Sequence, residues 1–330
     1  MRARLPILVL LLWCLPALGQ SDPPASIPSS APGYPASEAS TPREAAPTIA
    51  PAASDLPDLK PDVHGDLSQE QMQRLFRVVA DKERENERRL PDYTYIDREV
   101  QNKLDGKGQT KSTEVKTYEI LEIYGEQVRR LTAKDDKPLD AGDAAKEEEK
   151  IQKIIDKRKN ESEADRRKRE EKEEKEREDG RKFVTEVADA YDFKLVGTEL
   201  VGGREAWVID GEPRPGYEPK IKEGKYLSKF HGRVWIDKTD LQLAKMDIEC
   251  LDTISWGLVL ARLHKGSRFM MEQTRVNDEV WLPLHLTAKV DARIALLKSI
   301  DVDIDESYRD YKKFRTSAKI VGMGEVKEPQ

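Results

Sequence analysis

Tyr191-Asp-Phe-Lys-Leu-Val196, Ala206-Trp-Val-Ile209, Arg233-Val-Trp-Ile-Asp237 and Leu241-Gln-Leu-Ala-Lys-Met-Asp-Ile-Glu-Cys250 decide the fold of this chain. Gly202-Gly203 separates the first two runs, and both positions tolerate φ > 0, so they read as a two-residue hairpin turn. Asp237-Lys-Thr-Asp240 makes a second reversal, with aspartate side chains able to accept from nearby backbone N–H groups. In the returning strand the apolar positions are Leu241 and Leu243, then Ala244, Met246, Ile248 and Cys250. That change of parity predicts a β-bulge near Leu243, which bends the strand. Two hairpins with a built-in bend predict a curved antiparallel sheet.

Working outward, Gly211-Glu-Pro-Arg-Pro-Gly-Tyr-Glu-Pro219 is a turn-rich loop between the hairpins. Upstream, Phe183, Val184, Val187 and Ala188 predict an amphipathic helix docking on the sheet. Residues 141–180 form a compositionally separate insertion, with 28 of 40 residues charged. Ile151, Ile154 and Ile155 give it one apolar turn, so it reads as a solvated helix or helical hairpin projecting from the core. The Arg166-Arg-Lys-Arg169 run is flanked by acids that neutralise it. Tyr93-Thr-Tyr-Ile96 onward, Thr113–Tyr124 and Val128–Ala133 predict a three-strand meander. Ser68 with Gln71 makes a capping box, Leu67 and Met72 a hydrophobic staple, and Met72, Leu75, Phe76 and Val79 a helical stripe. Downstream, residues 258–264, 268–276, 280–286, 292–297 and 300–314 predict further strands. Val280, Leu282, Leu284 and Leu286 are expected on one face.

Met1–Gly19 reads as a signal peptide: Arg2 and Arg4, an apolar run to Leu18, and Ala17-Leu-Gly19 as the cleavage site. A lipidated alternative at Leu11-Leu-Trp-Cys14 meets bulky Trp13 where a small residue is needed. The mature product is expected to be periplasmic or secreted after cleavage near Gly19. Residues 20–66 form a Pro/Ala/Ser-rich linker with little to bury, either a plain tether or a Pro-rich ligand. Residues 67–321 are one domain, and 322–330 a flexible tail.

The 57 basic and 63 acidic residues nearly balance, so no field draws the whole chain to nucleic acid. No later segment is apolar enough to span a membrane. A mature chain holding only Cys250 forms no internal disulfide. His64, His231, His264 and His285 show no zinc-ligand spacing, and neither a phosphate loop nor a nucleophile elbow is present. Hydrolysis through His264 or His285, with Glu272 beside them, is the one enzymatic alternative. Asp301, Asp303 and Asp305 alternate on one strand without the pattern of a calcium loop. No catalytic, metal or cofactor residue is therefore assigned.

The order of elements, with Gly232-Arg-Val-Trp-Ile-Asp-Lys238, Arg275-Val-Asn-Asp-Glu-Val-Trp-Leu-Pro283 and Tyr308-Arg-Asp-Tyr-Lys-Lys-Phe314, resembles the outer-membrane lipoprotein-sorting superfamily of LolA/LolB-like periplasmic carriers. The resemblance spans about Leu67 to Val321 and implies an α+β fold. Its centre would be a strongly curved antiparallel sheet, an incomplete β-barrel with helices on its concave side. It also implies a non-enzymatic carrier of lipid or acyl chains, with lipidated protein as a further partner. The Pro-rich tether, the charged insertion and the absence of a lid-locking arginine depart from the carriers. The apolar strand faces nominate Val234, Ile236, Met246, Ile248, Leu282, Leu284 and Leu286 as cleft residues. An envelope scaffold with a filled core, binding a partner through the charged insertion, is the alternative.

Overall fold

The computed structural model describes residues 59–313, apart from 60, 65, 125, 257–260 and 295–297. The signal peptide, most of the linker, the tail and parts of the strands expected at 258–264 and 292–297 lie outside the described residues.

The chain opens with α1 (Gln69–Arg89), then β1 (Tyr93–Leu104), β2 (Thr110–Ile123), β3 (Glu126–Lys134) and the two-residue β4 (Lys137–Pro138). The insertion is a helical hairpin, α2 (Ala141–Lys159) and α3 (Glu163–Ala190), and α3 runs unbroken into the helix predicted at 183–188. Next come β5 (Tyr191–Val201), β6 (Arg204–Pro213), β7 (Phe230–Asp237) and β8 (Leu243–Cys250). Short β9 (Ile254–Trp256) and β10 (Ala261–Leu263) precede β11 (Arg268–Val276), β12 (Val280–Ile294) and β13 (Lys298–Lys313). The sheet order is β4-β3-β2-β1-β13-β12-β11-β8-β7-β6-β5, with β10 and β9 added beside β12. All pairings are antiparallel. Edges β4 and β5 do not pair with each other, so the curved sheet stays an open barrel.

The local signals act as expected. Gly202 and Gly203 have φ of 57° and 80°, and Val201 pairs with Arg204 across them. Trp235 faces Lys245 while Ile236 faces Leu243, so Ala244 is the extra residue of the bulge. The second reversal is held by Asp237, whose Oδ1 accepts from Thr239 N at 3.0 Å and Asp240 N at 2.7 Å. Arg204 donates to both oxygens of Asp237, Nε at 2.6 Å and Nη2 at 2.9 Å.

α1 crosses the sheet on its concave side. The capping box at Ser68 and Gln71 is formed. Met72, Leu75, Phe76 and Val79 pack with Phe183 and Ala188 of α3 and with Phe193, Ile209, Ile236 and Leu241. The ring of Phe76 stacks on Phe193 at 4.0 Å between centroids. At the other end Asn86 donates to Gln242 at 2.9 Å and accepts from Trp281 N at 3.2 Å. A second core joins Phe230, Cys250, Ile254, Leu263, Phe269, Val290, Ile300, Val302 and Ile304, with Tyr226 of the short 3-10 helix Lys222–Lys229 packed against it. α2 docks elsewhere, through Ile151 and Ile155 on Ile123 and Val128. The insertion therefore does not project freely: one turn of isoleucines ties it to β2 and β3.

Gly232 lies where β7 and β8 approach closely, and a Cβ there would stand 2.9 Å from Asp247 O and 3.1 Å from Ile248 Cγ1. A Cβ at Gly197 meets nothing within 4 Å. Gly232→Ala is expected to lower unfolding free energy in urea by about 1–3 kcal/mol, and Gly197→Ala by less than about 0.5 kcal/mol.

Candidate functional site

Residues directly opposite in an antiparallel pair share a face. The registers therefore define one continuous row across the sheet. Ile209 faces Val234, Val234 faces Met246, Met246 faces Met271 and Met271 faces Leu286. Leu286 then faces Glu306, and Glu306 faces Glu99. Ile209 packs under α1, which identifies this as the concave face. The row is apolar over five strands and acidic over the next two. With strands about 4.8 Å apart, its apolar part spans about 19 Å.

Val234, Met246 and Leu286 are only half-buried. Val234 borders the core under α1, Leu286 and Ile248 border the second core, and Met246 belongs to neither. The row thus follows the seam between two packed cores.

At its acidic end Asp97, Glu99 and Glu306 are 4%, 2% and 2% exposed. Arg129 Nη2 donates to Asp97 Oδ2 at 2.7 Å and to Glu99 Oε2 at 3.1 Å, with its guanidinium 4.0 Å over the Tyr118 ring. Tyr308 OH donates to Glu306. Asp97 Oδ1 and Glu306 Oε1 are buried without a hydrogen-bond partner. Burial pushes the Glu306 carboxyl up to about 7, reinforced by the Asp97 charge. Burial also pushes Asp97 up to about 6, against the opposing pull of Arg129. Burial works to lower Arg129, but Asp97, Glu99 and Glu306 together outweigh it and raise it. Three carboxylates thus share one guanidinium. A further carboxyl, Glu83 of α1, accepts from Gln273 Nε2 at 3.1 Å and is pushed by burial up to about 7.

Four of the seven nominated residues meet on this seam: Val234, Met246 and Leu286 in the row, and Ile248 beside it. Ile236 is fully buried under α1. Leu282 sits in a separate cluster with Tyr93 and Val280. The alternation expected over 280–286 breaks because Glu272 faces His285 while Gln273 faces Pro283, so Leu284 is bypassed by a bulge and is 38% exposed. Pro283, which has no N–H to donate to the ladder, sits at that bulge. The acidic end was missed in the sequence. Its signal is the spacing of Tyr93, Tyr95, Asp97, Glu99 and Gln101, every second residue of β1 and all buried.

His285 Nε2 lies 3.0 Å from Asp305, and His264 Nδ1 lies 3.8 Å from Asp291. Asp291 and His285 are six residues apart on β12, about 20 Å along an extended strand, so the two histidines do not meet. Cys250 is fully buried and its Sγ donates to Asp252 O at 3.0 Å. Among the described residues, no cluster of three or more His, Cys, Asp or Glu is placed to hold a metal ion, and no helix is long and apolar enough to cross a membrane.

No family model matches the chain, and no curated protein matches it in sequence. Comparison of structures finds similar folds among solved proteins. One is a domain described as an outer-membrane lipoprotein-sorting protein from Vibrio parahaemolyticus, 12% identical over 73% of this chain and 95% of that one, TM-score 0.28. Another is a LolA superfamily protein from Nitrosomonas europaea, 10% identical over 71% and 92%, TM-score 0.27. A third is the Pseudomonas aeruginosa MucA/MucB complex, 11% identical over 72% and 94%, TM-score 0.21. The superfamily that the sequence resembles is also the source of these first two neighbours. Overlaps this small add no weight on function, and the open curved sheet rests on the strand pairings above.

The raised carboxyls set a direction for pH. Glu83 and Glu306 hold protons in the fold up to about 7, Asp97 up to about 6, and all three lose them near 4 when unfolded. The fold binds more protons in that window, so stability falls as pH rises from about 4 to 7 and levels off above. The melting temperature is expected to drop across this range. Glu306→Gln and Glu83→Gln should each flatten the drop, by on the order of 1–3 kcal/mol in stability at pH 7.5.

Proposed function

We propose that this protein is a non-enzymatic binding module of the cell envelope that takes a lipid or acyl chain on its concave face. It would be exported after cleavage near Gly19 and could hold the chain free or as part of a lipidated protein. One observation carries the reading: the row Val234–Met246–Met271–Leu286, half-buried except at Met271, follows the seam between two cores, with Met246 and Met271 packed into neither. A flexible, unbranched chain suits such a seam, since methionine side chains adapt their shape at low cost.

A second reading, an envelope scaffold, draws on the charged hairpin. Between Glu163 and Gly180 the described side chains include none that is buried, while α2 is anchored to the sheet by Ile151 and Ile155. That arrangement presents a charged helix on a fixed base.

Native mass spectrometry of the mature protein should show co-purifying lipid or uptake of added fatty acid and phospholipid. Met246→Trp, which fills the seam, should weaken uptake about tenfold, a loss of about 1.4 kcal/mol, whereas Leu200→Ala on the exposed edge strand should not. A protein that takes up no lipid of either class is not a chain carrier. Deleting Ala144–Asp179 is expected to leave uptake in place. Loss of a captured protein partner on that deletion, with uptake retained, would assign the hairpin to partner binding.

A further inference from the structure

The acidic end of the row is the feature that chain binding alone does not use. Its charges do not balance: Asp97, Glu99 and Glu306 face Arg129, while Lys116, next across the sheet from Glu99, is 2.9 Å from Glu114. Two oxygens remain unpaired, Asp97 Oδ1 and Glu306 Oε1, on side chains more than nine-tenths buried, and beside them the Arg129 Nε is a buried donor without a partner. A buried acceptor without a donor is costly, and native proteins rarely leave one unfilled. The register sets this deficit directly beyond Leu286, where the apolar row ends.

We propose that the row takes a single-chain amphiphile with a protonated amine head, its chain along Val234, Met246 and Met271 and its ammonium against Glu306 and Asp97. This rests on the chain-binding reading above and names the head group. An ammonium is a donor without an acceptor, so it can fill both unpaired oxygens while supplying a second cation to the three carboxylates. A carboxylate or phosphate head would instead add an anion to a site already in excess of them. The methionines beside the site give way easily, so entry requires side-chain movement rather than strand separation.

The test compares heads on one chain length. Dodecylamine, dodecanol and dodecanoate, below micelle formation at pH 7.4, would each displace the neutral probe N-phenyl-1-naphthylamine from the mature protein. Dodecylamine is expected to bind at least about tenfold more tightly than dodecanoate, as charge-assisted hydrogen bonds allow. The double variant Asp97→Asn, Glu306→Gln should bring the two within about threefold while dodecanol binding stays unchanged. If the double variant does not fold, judged by circular dichroism, the same ratio is read in Glu306→Gln alone. Dodecanoate binding as tightly as dodecylamine overturns the amine head but keeps the chain site. A preference for amine that survives the substitutions also overturns it, since the net negative charge of the whole protein would then suffice. Displacement by none of the three removes the chain-binding reading itself.

Discussion

The fixed crossing of α1 over the concave face is the interaction on which the rest depends. A sheet bent this strongly has an interior that its own side chains must fill or something else must cover. α1 covers it by binding strands far apart in the sheet order: Phe76 stacks on Phe193 of β5, and Asn86 bonds Trp281 of β12. The first contact is large and apolar. The second is polar and buried, and both ends of the Asn86 amide are satisfied, by Gln242 and by Trp281 N. Apolar burial gives the attachment its strength, and the paired amide fixes its angle, since any slip strands a buried polar group.

What could be read in the sequence follows from how local each signal is. Gly202-Gly203, the Ser68–Gln71 box and the parity change at Leu243–Ala244 involve residues within a few positions of one another, and each acts where it was read. The row is different. Val234 and Met246 share a hairpin, but Met246 meets Met271 through a pairing across an intervening excursion, and Glu306 meets Glu99 across most of the domain. No periodicity in one strand reveals such registers. Leu284 shows the same limit from the other side. Strict alternation placed it with Leu282 and Leu286, but a single bulged residue inverts the parity of β12, so Leu282 and Leu286 pair onto opposite faces and Leu284 is left exposed between them.

The acidic end shows which energies compete in the interior. Arg129 touches Asp97 and Glu99 and lies over Tyr118, so one guanidinium does the work of neutralising a cluster larger than itself. Desolvation still wins at Asp97, which stays raised despite a 2.7 Å contact with a cation. Removing charges from water costs several kcal/mol per ion even in relaxed proteins, more than one shared partner returns. Such a cluster contributes little to stability at neutral pH, and an apolar core of the same volume would fold better.

The bulges bring these features together. In β8 the extra residue is Ala244, two before Met246, and in β12 it is Leu284, two before Leu286. These strands run in the same direction, so the two bulges lie at one level of the sheet. On antiparallel β13, Asp310 takes φ of 59°, four residues beyond Glu306, where the pairing with β1 also shifts between Thr94 and Ile96. Each bulge adds local twist and bends its strand. A line of them along one level bends the sheet there, and the row runs along the next level down. Met246, Leu286 and Glu306 occupy that level. The irregularities that curve the sheet thus lie beside the row, whose apolar and acidic parts the registers place end to end.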